Sequence, residues 1–240
     1  GYILIFQDLT QIKRLERNMQ MSEKMAAVGQ LAAGIAHEIR NPLTGISGSL
    51  QLLRATTHGE GSEEHRLMSI ALREIDRLNR LITDFLDFVR PAQPVLDSVN
   101  LDQLLGEVID LTIVNTRAHT EQKPIEYIRE LNATRAILGN KDQLKQVFYN
   151  LLINAGHAVD KTEKPQIAIR TNFESGHIFV RVKDNGAGMS QKTLKRIFEP
   201  FYTTKAKGTG LGLATVHKII ENHDARIFVE SEEGRGTEFI

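Results

Sequence analysis

The sequence lacks cysteine and lacks an excess of either charge. Without cysteine the chain cannot form a disulfide, a thiolate metal site, an iron–sulfur cluster or a cysteine nucleophile, which suits a reducing compartment and gives no indication of secretion. Thirty Lys and Arg residues balance thirty Asp and Glu residues. No overall basic field therefore draws the chain to nucleic acid or anionic membrane, and we expect no direct nucleic-acid partner beyond local patches.

Long hydrophobic runs are also missing. The apolar runs have only a handful of residues, as over 2–6, whereas a helix needs about 20 to cross a bilayer. The sequence thus predicts no membrane span and a cytoplasmic location for this segment. Because the chain starts inside a strand-like run and stops as another strand begins, we expect a piece of a longer protein, whose upstream part could carry a membrane anchor or a sensor.

Helical periodicity dominates the first third of the chain after a strand-like run over 1–10. Apolar residues are spaced by three and four over 12–19 and again over 21–39, where they form a heptad seam. The two runs are out of phase, which is typical of a signalling joint in a coiled coil but equally of a tolerated irregularity. Pro42 predicts a kink in a helix that continues, because apolar spacing resumes at Leu43.

The strongest periodicity follows a polar turn over 56–62. Its apolar positions repeat as three, four, three, four, three, four at Met68, Ala71, Ile75, Leu78, Ile82, Phe85 and Val89. Two helices joined by a short turn form an antiparallel hairpin, and this apolar stripe is too wide for two helices alone. We therefore predict an all-α hairpin that pairs into a dimeric four-helix bundle, a homodimer through residues 11–90.

The proline-rich stretch over 91–94 ends the hairpin and begins a linker, which we place at 92–99. The following domain, 100–240, is predicted as an α+β sandwich. Its helices are expected at 101–119, 141–159 and 211–222, and its strands at 125–130, 166–174, 177–184, 226–231 and from 236. The predicted order of the whole chain is a strand (1–10), a signalling helix (11–24), the hairpin (25–91), the linker and this sandwich.

One candidate reactive group lies in the first helical segment. The heptad seam places His37 at the outermost helical position, where an exposed imidazole can reach another molecule. Glu38 could take its proton or fix its tautomer, and Asn41, one turn further on, could orient a water. An ordinary surface histidine beside an ordinary surface glutamate is the competing interpretation.

The second domain carries a longer series of polar and glycine-rich segments. Asn150 and Asn154 lie four residues apart on one helix face, where two amide oxygens could ligate Mg²⁺. Asp184 ends a strand and precedes Gly186 and Gly188, so its carboxylate could accept an exocyclic amine. Each feature alone is also typical of helix surfaces and turns.

A third segment combines a lysine with a glycine-rich helix start. Lys205 precedes the run 208–212, whose amides suit phosphate at a helix N-terminus. The run matches neither a Walker P-loop nor a dinucleotide fingerprint. The order of the four segments carries more weight than any one of them.

Together these segments resemble the five conserved boxes of bacterial two-component sensor histidine kinases, in the family's order and over residues 11–240. The phospho-acceptor box lies at 37–43, the Asn box at 150–155, the two Gly boxes at 184–188 and 208–213, and the Phe box at 198–201. Residues 8–10 also resemble the end of a PAS sensor domain. The Phe box with the short loop after it most resembles the nitrogen-regulator-like branch.

The resemblance implies a sensor histidine kinase that autophosphorylates His37 from Mg-ATP and passes the phosphoryl group to an Asp of a response regulator receiver domain. Glu38 would be the base or orienting carboxylate, and Asn41 would position water for regulator dephosphorylation. The Mg²⁺ ligands would be Asn154 and Asn150, and the ATP contacts Asp184, Gly186, Gly188, Lys205, Gly208, Thr209, Gly210, Leu211 and Gly212. The regulator would dock around His37, Asn41, Thr44 and Ser47.

One position departs from the family pattern, because His157 stands where many members carry Lys or Arg; Lys205 is the expected substitute. A nucleotide-binding dimeric scaffold that transfers little phosphate is the alternative function. An ATP-driven conformational machine would leave His37 and the hairpin unexplained.

Overall fold

The computed structural model describes residues 39–55, 63–89, 95–119, 124–133, 135–205 and 208–240. The predicted strand over 1–10, the signalling helix over 11–24, the phase break in the heptad seam and the pair His37 and Glu38 lie outside these residues. The chain divides into two compact units, one ending at Ala92 and the other beginning at Gln93. Each is described by itself.

The first unit is a helical hairpin. Helix α1 (39–55) continues through Pro42, as predicted, and helix α2 spans Glu63–Val89. Arg40 Nη2 donates to Thr83 Oγ1 at 3.3 Å. This bond joins the beginning of α1 to the end of α2, as expected for two antiparallel helices. Leu72 and Ile75 supply buried positions on α2. The hairpin predicted from periodicity is confirmed.

A single hairpin leaves several large apolar side chains exposed. Exposed fractions lie between 43% and 70% for Ile46, Leu52, Leu53, Leu67, Ile70 and Leu78. Burying such side chains is favourable at roughly 25 cal/mol per Å² of apolar surface. In the part of the chain that is described, no helix is long and apolar enough to cross a membrane.

The second unit alternates strands and helices and forms two sheets. The elements are β1 (Asp97–Asn100), α3 (Leu101–His119), β2 (Glu126–Leu131), β3 (Ala136–Gly139), α4 (Lys141–Ala158), β4 (Gln166–Glu174), β5 (His177–Asp184), α5 (Gln191–Leu194), α6 (Gly212–Asn222), β6 (Val229–Glu232) and β7 (Gly236–Phe239). Strands β1 and β3 pair as an antiparallel ribbon. The main sheet has the order β2-β4-β5-β7-β6, with β2 parallel to β4 and all other pairs antiparallel.

The core lies between this mixed sheet and helices α3, α4 and α6. Alternate residues of β4 and β5 point toward the helices, and the buried set includes Leu105, Ile109, Leu152, Ile167, Ile169, Val182 and Val216. On the opposite face the same strands carry ion pairs, such as Arg170 Nε to Glu130 Oε2 at 2.8 Å. The period-two alternation of a half-buried sheet therefore fixes which residues face the helices. The predicted sandwich is confirmed.

The predicted linker over 92–99 is wrong at its C-terminal end. Residues from Asp97 form β1, whose Val99 is buried and whose ladder pairs Ser98 with Leu138. Neither β1 nor its partner β3 was predicted, because four-residue strands with one apolar residue (β1) or three consecutive ones (β3) show no detectable alternation. Strand β6 begins at Val229, three residues later than predicted, and the other predicted elements agree within one residue.

Candidate nucleotide site

Helix α4 presents the predicted amide pair on one face. The helix begins where Asn140 Oδ1 accepts from the amide N–H of Gln143 at 2.9 Å, and its apolar side packs into the core. This anchoring directs Asn150 and Asn154 toward the glycine-rich loops. Asn150 Nδ2 donates to the carbonyl oxygen of Gly212 at 3.4 Å, which ties α4 to the first turn of α6.

Asn154 has a different contact, because it binds the lysine that follows the Phe box. Lys205 Nζ donates to Asn154 Oδ1 at 2.7 Å and lies 3.2 Å from His157 Nδ1. An ammonium group only donates, so His157 Nδ1 acts as the acceptor and the imidazole is neutral in this contact. The structure therefore brings together Asn154, Lys205 and the position at which the chain departs from the family pattern.

Lys205 and His157 are exposed at the surface, yet their packing against the loop and α4 removes enough water to shift both pKa values. Burial lowers the pKa of Lys205, and the carboxylates of Asp160 and Asp184 oppose that shift. Burial also lowers the pKa of His157, with the charge of Lys205 as the next cause and Asp160 in opposition. Both directions follow from the cost of holding positive charge away from water.

Asp184 lies at the end of β5 and is 4% exposed. Its Oδ1 accepts from the amide N–H of Gly186 at 2.8 Å, and the amide of Thr237 on β7 also donates to the carboxylate. Burial raises the pKa of Asp184, while the two amides and the charge of Lys205 lower it. A buried carboxylate held in this way is a fixed acceptor at the edge of the site.

Two glycines are required by the backbone around the site. Gly188 has φ +63°, and a side chain there would run into the backbone carbonyl of Glu232. Gly210 has φ +70°, and an added Cβ would lie 2.7 Å from the carbonyl oxygen of Phe201. Both positions combine left-handed backbone with a close approach that only glycine allows. Phe201 itself has φ +64°, a conformation uncommon for a residue with a side chain.

The first turn of α6 follows the second glycine run. Thr209 Oγ1 accepts from the amide of Leu211 at 3.3 Å. Leu211 is the N-cap of α6, and its apolar side chain makes no cap hydrogen bond. The four amides at a helix start need an external acceptor, and the helix dipole favours an anion there.

Of the three residues predicted to act at the phospho-acceptor box, only Asn41 lies in the described part of the chain. Asn41 is exposed on α1. Thr44 Oγ1, on the face predicted to meet the regulator, donates to the carbonyl oxygen of Arg40 at 2.9 Å. His37 and Glu38 lie outside the described residues, so their geometry stays a prediction.

Two family models match the chain in the predicted order. Residues 27–94 match the His Kinase A (phospho-acceptor) domain, and residues 139–240 match the Histidine kinase-, DNA gyrase B-, and HSP90-like ATPase domain. The chain belongs to the sensor histidine kinase family. The family assignment made from the five boxes is thereby confirmed, while the nitrogen-regulator-like branch stays a prediction.

Curated relatives agree with this assignment along nearly the whole chain. Sporulation kinase E of Bacillus subtilis (strain 168) is 38% identical over 99% of this chain and 31% of its own length. Signal transduction histidine-protein kinase AtoS of Escherichia coli (strain K12) is 40% identical over 100% of this chain and 38% of its own. The chain thus spans between about a third and a half of the curated relatives it matches.

Solved structures match as well. Full-length ShkA in complex with AMPPNP is 28% identical, with a TM-score of 0.71 over 88% of this chain and 44% of that chain. Histidine kinase ThkA in complex with response regulator protein TrrA is 26% identical, with a TM-score of 0.63 over 97% of this chain and 66% of that chain. The sandwich of the present chain therefore has the architecture of histidine kinase catalytic domains.

The sequence predicted that these segments lie around one site, but it did not predict two contacts that the structure shows among them. The contact of Thr237 with Asp184 depends on the pairing of β5 with β7, whose strands are about fifty residues apart in the chain. The contact of Lys205 with Asn154 and His157 depends on a loop folding back over α4. The only sequence signal for the second was the unusual His157.

Proposed function

We propose that the protein of which this chain is part autophosphorylates His37 with ATP and passes the phosphoryl group to an aspartate of a response regulator. One observation carries the proposal: the same chain matches a phospho-acceptor domain that contains His37 and also has a candidate nucleotide site formed by four separate segments. Neither part alone would give a kinase that modifies its own histidine.

In the proposed reaction a ring nitrogen of His37 attacks the γ-phosphorus of ATP. The bond from that phosphorus to the bridging oxygen breaks, ADP leaves, and the imidazole keeps the phosphoryl group. Glu38, its neighbour, accepts the proton that the ring loses or orients the ring. A reaction of this kind depends mainly on positioning and on neutralising phosphate charge.

The nucleotide would bind with its adenine at Asp184 and its phosphates at the start of α6. Asp184 uses hydrogen bonds from two amides to hold its carboxylate in place, so it can accept from an exocyclic amine without moving. The amides in the first turn of α6, after Leu211, suit the phosphates. The glycines Gly186, Gly188, Gly208 and Gly212 and the residues Thr209 and Leu211 would line the path between these ends.

The residues of α4 fit a magnesium ion. Asn154 offers a neutral amide oxygen that already binds a cationic group, the ammonium of Lys205, and Asn150 is the second predicted ligand on the same face. Hard amide oxygens of this kind are ligands that Mg²⁺ accepts while keeping several waters. When bound, the ion would neutralise phosphate charge during transfer.

The hairpin would act as a homodimer. The exposed apolar side chains on α1 and α2, among them Leu53 and Leu78, lie on the helices whose periodicity predicts a four-helix bundle. Covering such a stripe with a second hairpin is the usual solution for a bundle. The regulator would dock on the polar face that carries Asn41, Thr44 and Ser47, where Asn41 would also direct water in a phosphatase reaction.

The proposed function is tested by incubating the full chain with Mg²⁺ and γ-labelled ATP. We expect a label that is stable in base and lost in acid, as a phosphorus–nitrogen bond requires. His37→Ala and Asn154→Ala should each abolish the label, whereas His177→Ala, which removes an exposed histidine on β5, should keep it. A chain that binds ATP without acquiring label would favour the scaffold function instead.

A further inference from the structure

Lys205 places its ammonium group on the very oxygen that the proposed function assigns to the metal. Its Nζ lies 2.7 Å from Asn154 Oδ1 and 3.2 Å from His157 Nδ1, so two neutral acceptors on one face of α4 hold one positive charge. Hydrogen bonds that involve an ionised group are shorter and stronger than neutral ones. The contact is therefore a specific one between the loop and the helix.

A divalent cation on Asn154 would lie close to this ammonium. Mg²⁺ binds oxygen at about 2.1 Å, so an ion on Asn154 Oδ1 would lie within about 5 Å of the lysine nitrogen if both remained. The amide oxygen has two lone pairs and could in principle accept both groups. At that separation, however, the repulsion between a double and a single positive charge opposes their coexistence on Asn154.

We propose that Lys205 is the resident cation of the metal site and that the metal ion of a bound nucleotide must displace it. The inference rests on the proposed assignment of Asn154 as a metal ligand. His157 is a positioning residue, because its neutral Nδ1 provides the second acceptor that keeps the Lys205 ammonium at the site. A nucleotide that arrives without metal leaves the lysine where it is.

Lys205 gives the site a defined state in the absence of nucleotide. Before nucleotide binds, Asn154 Oδ1 and His157 Nδ1 both accept hydrogen bonds from the ammonium of Lys205. Without Lys205 these two acceptors would need water or the metal ion as a partner. Displacement by the metal costs the two hydrogen bonds, so the lysine lowers the affinity for the metal–nucleotide complex compared with a chain that lacks it. The metal-free nucleotide is not affected in this way.

The imidazole of His157 reports the position of the lysine. We would follow the ¹⁵N resonance of His157 Nδ1 in the full chain, assigned by its loss in His157→Ala. The resonance position in Lys205→Met defines the state without the ammonium, and Lys192→Met removes an exposed lysine from α5 as the matched control. ADP is the probe, added first with EDTA and then with Mg²⁺, and calorimetry measures its binding in parallel.

The proposal predicts that ADP with EDTA leaves the resonance at its native position, and that ADP with Mg²⁺ moves it to the position seen in Lys205→Met. Lys205→Met should also bind ADP with Mg²⁺ about threefold to tenfold more tightly, with unchanged affinity in EDTA, since no charge-assisted hydrogen bond is displaced. Lys192→Met should behave like the native chain in both measurements.

Three results would overturn the proposal. The resonance could stay in place although ADP binds with Mg²⁺, or it could move with ADP in EDTA, which would mean that the nucleotide and not the metal displaces the lysine. A loss of Mg–ADP affinity in Lys205→Met would make the lysine a phosphate ligand and not a competitor of the metal. If calorimetry detects no ADP binding under any condition, the proposed function fails, and this outcome is distinct from the other three.

Discussion

Substitution of Gly188 by alanine tests the backbone geometry beneath the proposed adenine pocket. The residue has φ +63°, and an added Cβ would overlap the carbonyl oxygen of Glu232 and lie 2.7 Å from its carbonyl carbon. A left-handed backbone costs an ordinary residue about 1–2 kcal/mol. Because the obstacle is backbone on β6 and cannot rotate away, overpacking adds about 1–3 kcal/mol. We therefore expect Gly188→Ala to lower the free energy of unfolding by roughly 2–5 kcal/mol.

Two other glycines separate these costs. Gly176, in the turn between β4 and β5, has φ +84° but open space around it, so Gly176→Ala should cost only about 1–2 kcal/mol. Gly106 lies inside α3 with open space and no positive φ, so Gly106→Ala should stabilise the unit by about 0.5–1 kcal/mol.

The assay is calorimetric unfolding of the full chain, in which 1 kcal/mol moves the melting temperature of a unit of this size by about 2–4 °C. The expected order of melting temperatures is Gly106→Ala above native, then Gly176→Ala, then Gly188→Ala. Equal losses for Gly188→Ala and Gly176→Ala would show that the approach to Glu232 carries no energy, and the geometric reasoning would fail.

Three further substitutions test other parts of the account. Asp184→Asn should lower ATP affinity by about 10- to 100-fold, since it removes a charged acceptor, without lowering stability at pH 7. Because burial raises the pKa of Asp184, the folded state holds the carboxyl proton to higher pH than the unfolded state does. The protonated carboxyl therefore contributes a stabilisation that is lost as pH rises from the unfolded pKa to the folded pKa. The free energy of unfolding, measured at equilibrium against pH, should fall over this range in the native chain and not in Asp184→Asn. Thr171→Val should lower the free energy of unfolding by about 2–4 kcal/mol in a denaturant titration. The reason is that Thr171 Oγ1 accepts hydrogen bonds from two backbone amides and donates one to Asp102 at 2.6 Å. Thr171→Ser, which keeps the hydroxyl, should retain most of the stability in the same titration. His223→Ala should lower the free energy of unfolding by about 1–2 kcal/mol, because His223 Nε2 accepts a hydrogen bond from the amide of Asn140 at the start of α4. An unchanged denaturation midpoint would contradict that role.

Periodic patterns in the sequence were enough to predict most of the fold. The three-four repeat of α2 and the alternation in β4 and β5 each span eight or more residues, so burial on one face imposes a readable pattern. The ribbon of β1 and β3 escaped prediction for the opposite reason. Each strand has four residues, and its existence depends on a partner about forty residues away.

The candidate site was predictable by segment but not by contact. The amide pair on α4 and the glycine-rich start of α6 follow from spacing alone, and the structure places Asn150 against Gly212. The bond from Lys205 to Asn154 could not be predicted, because local sequence does not determine where a loop folds back. His157 was noticed only as an unusual residue, and its role as an acceptor emerged from the position of Lys205.

The most direct test of the central claim is to locate the phosphoryl group on the chain. The full chain, treated with Mg-ATP and kept at neutral to basic pH, would be cleaved and its phosphopeptides sequenced by mass spectrometry. The account predicts phosphate on the imidazole of His37, dependent on Mg²⁺ and strongly reduced in Asp184→Asn at limiting ATP. Phosphate on another residue, or none on a chain that binds ATP and Mg²⁺, would contradict it.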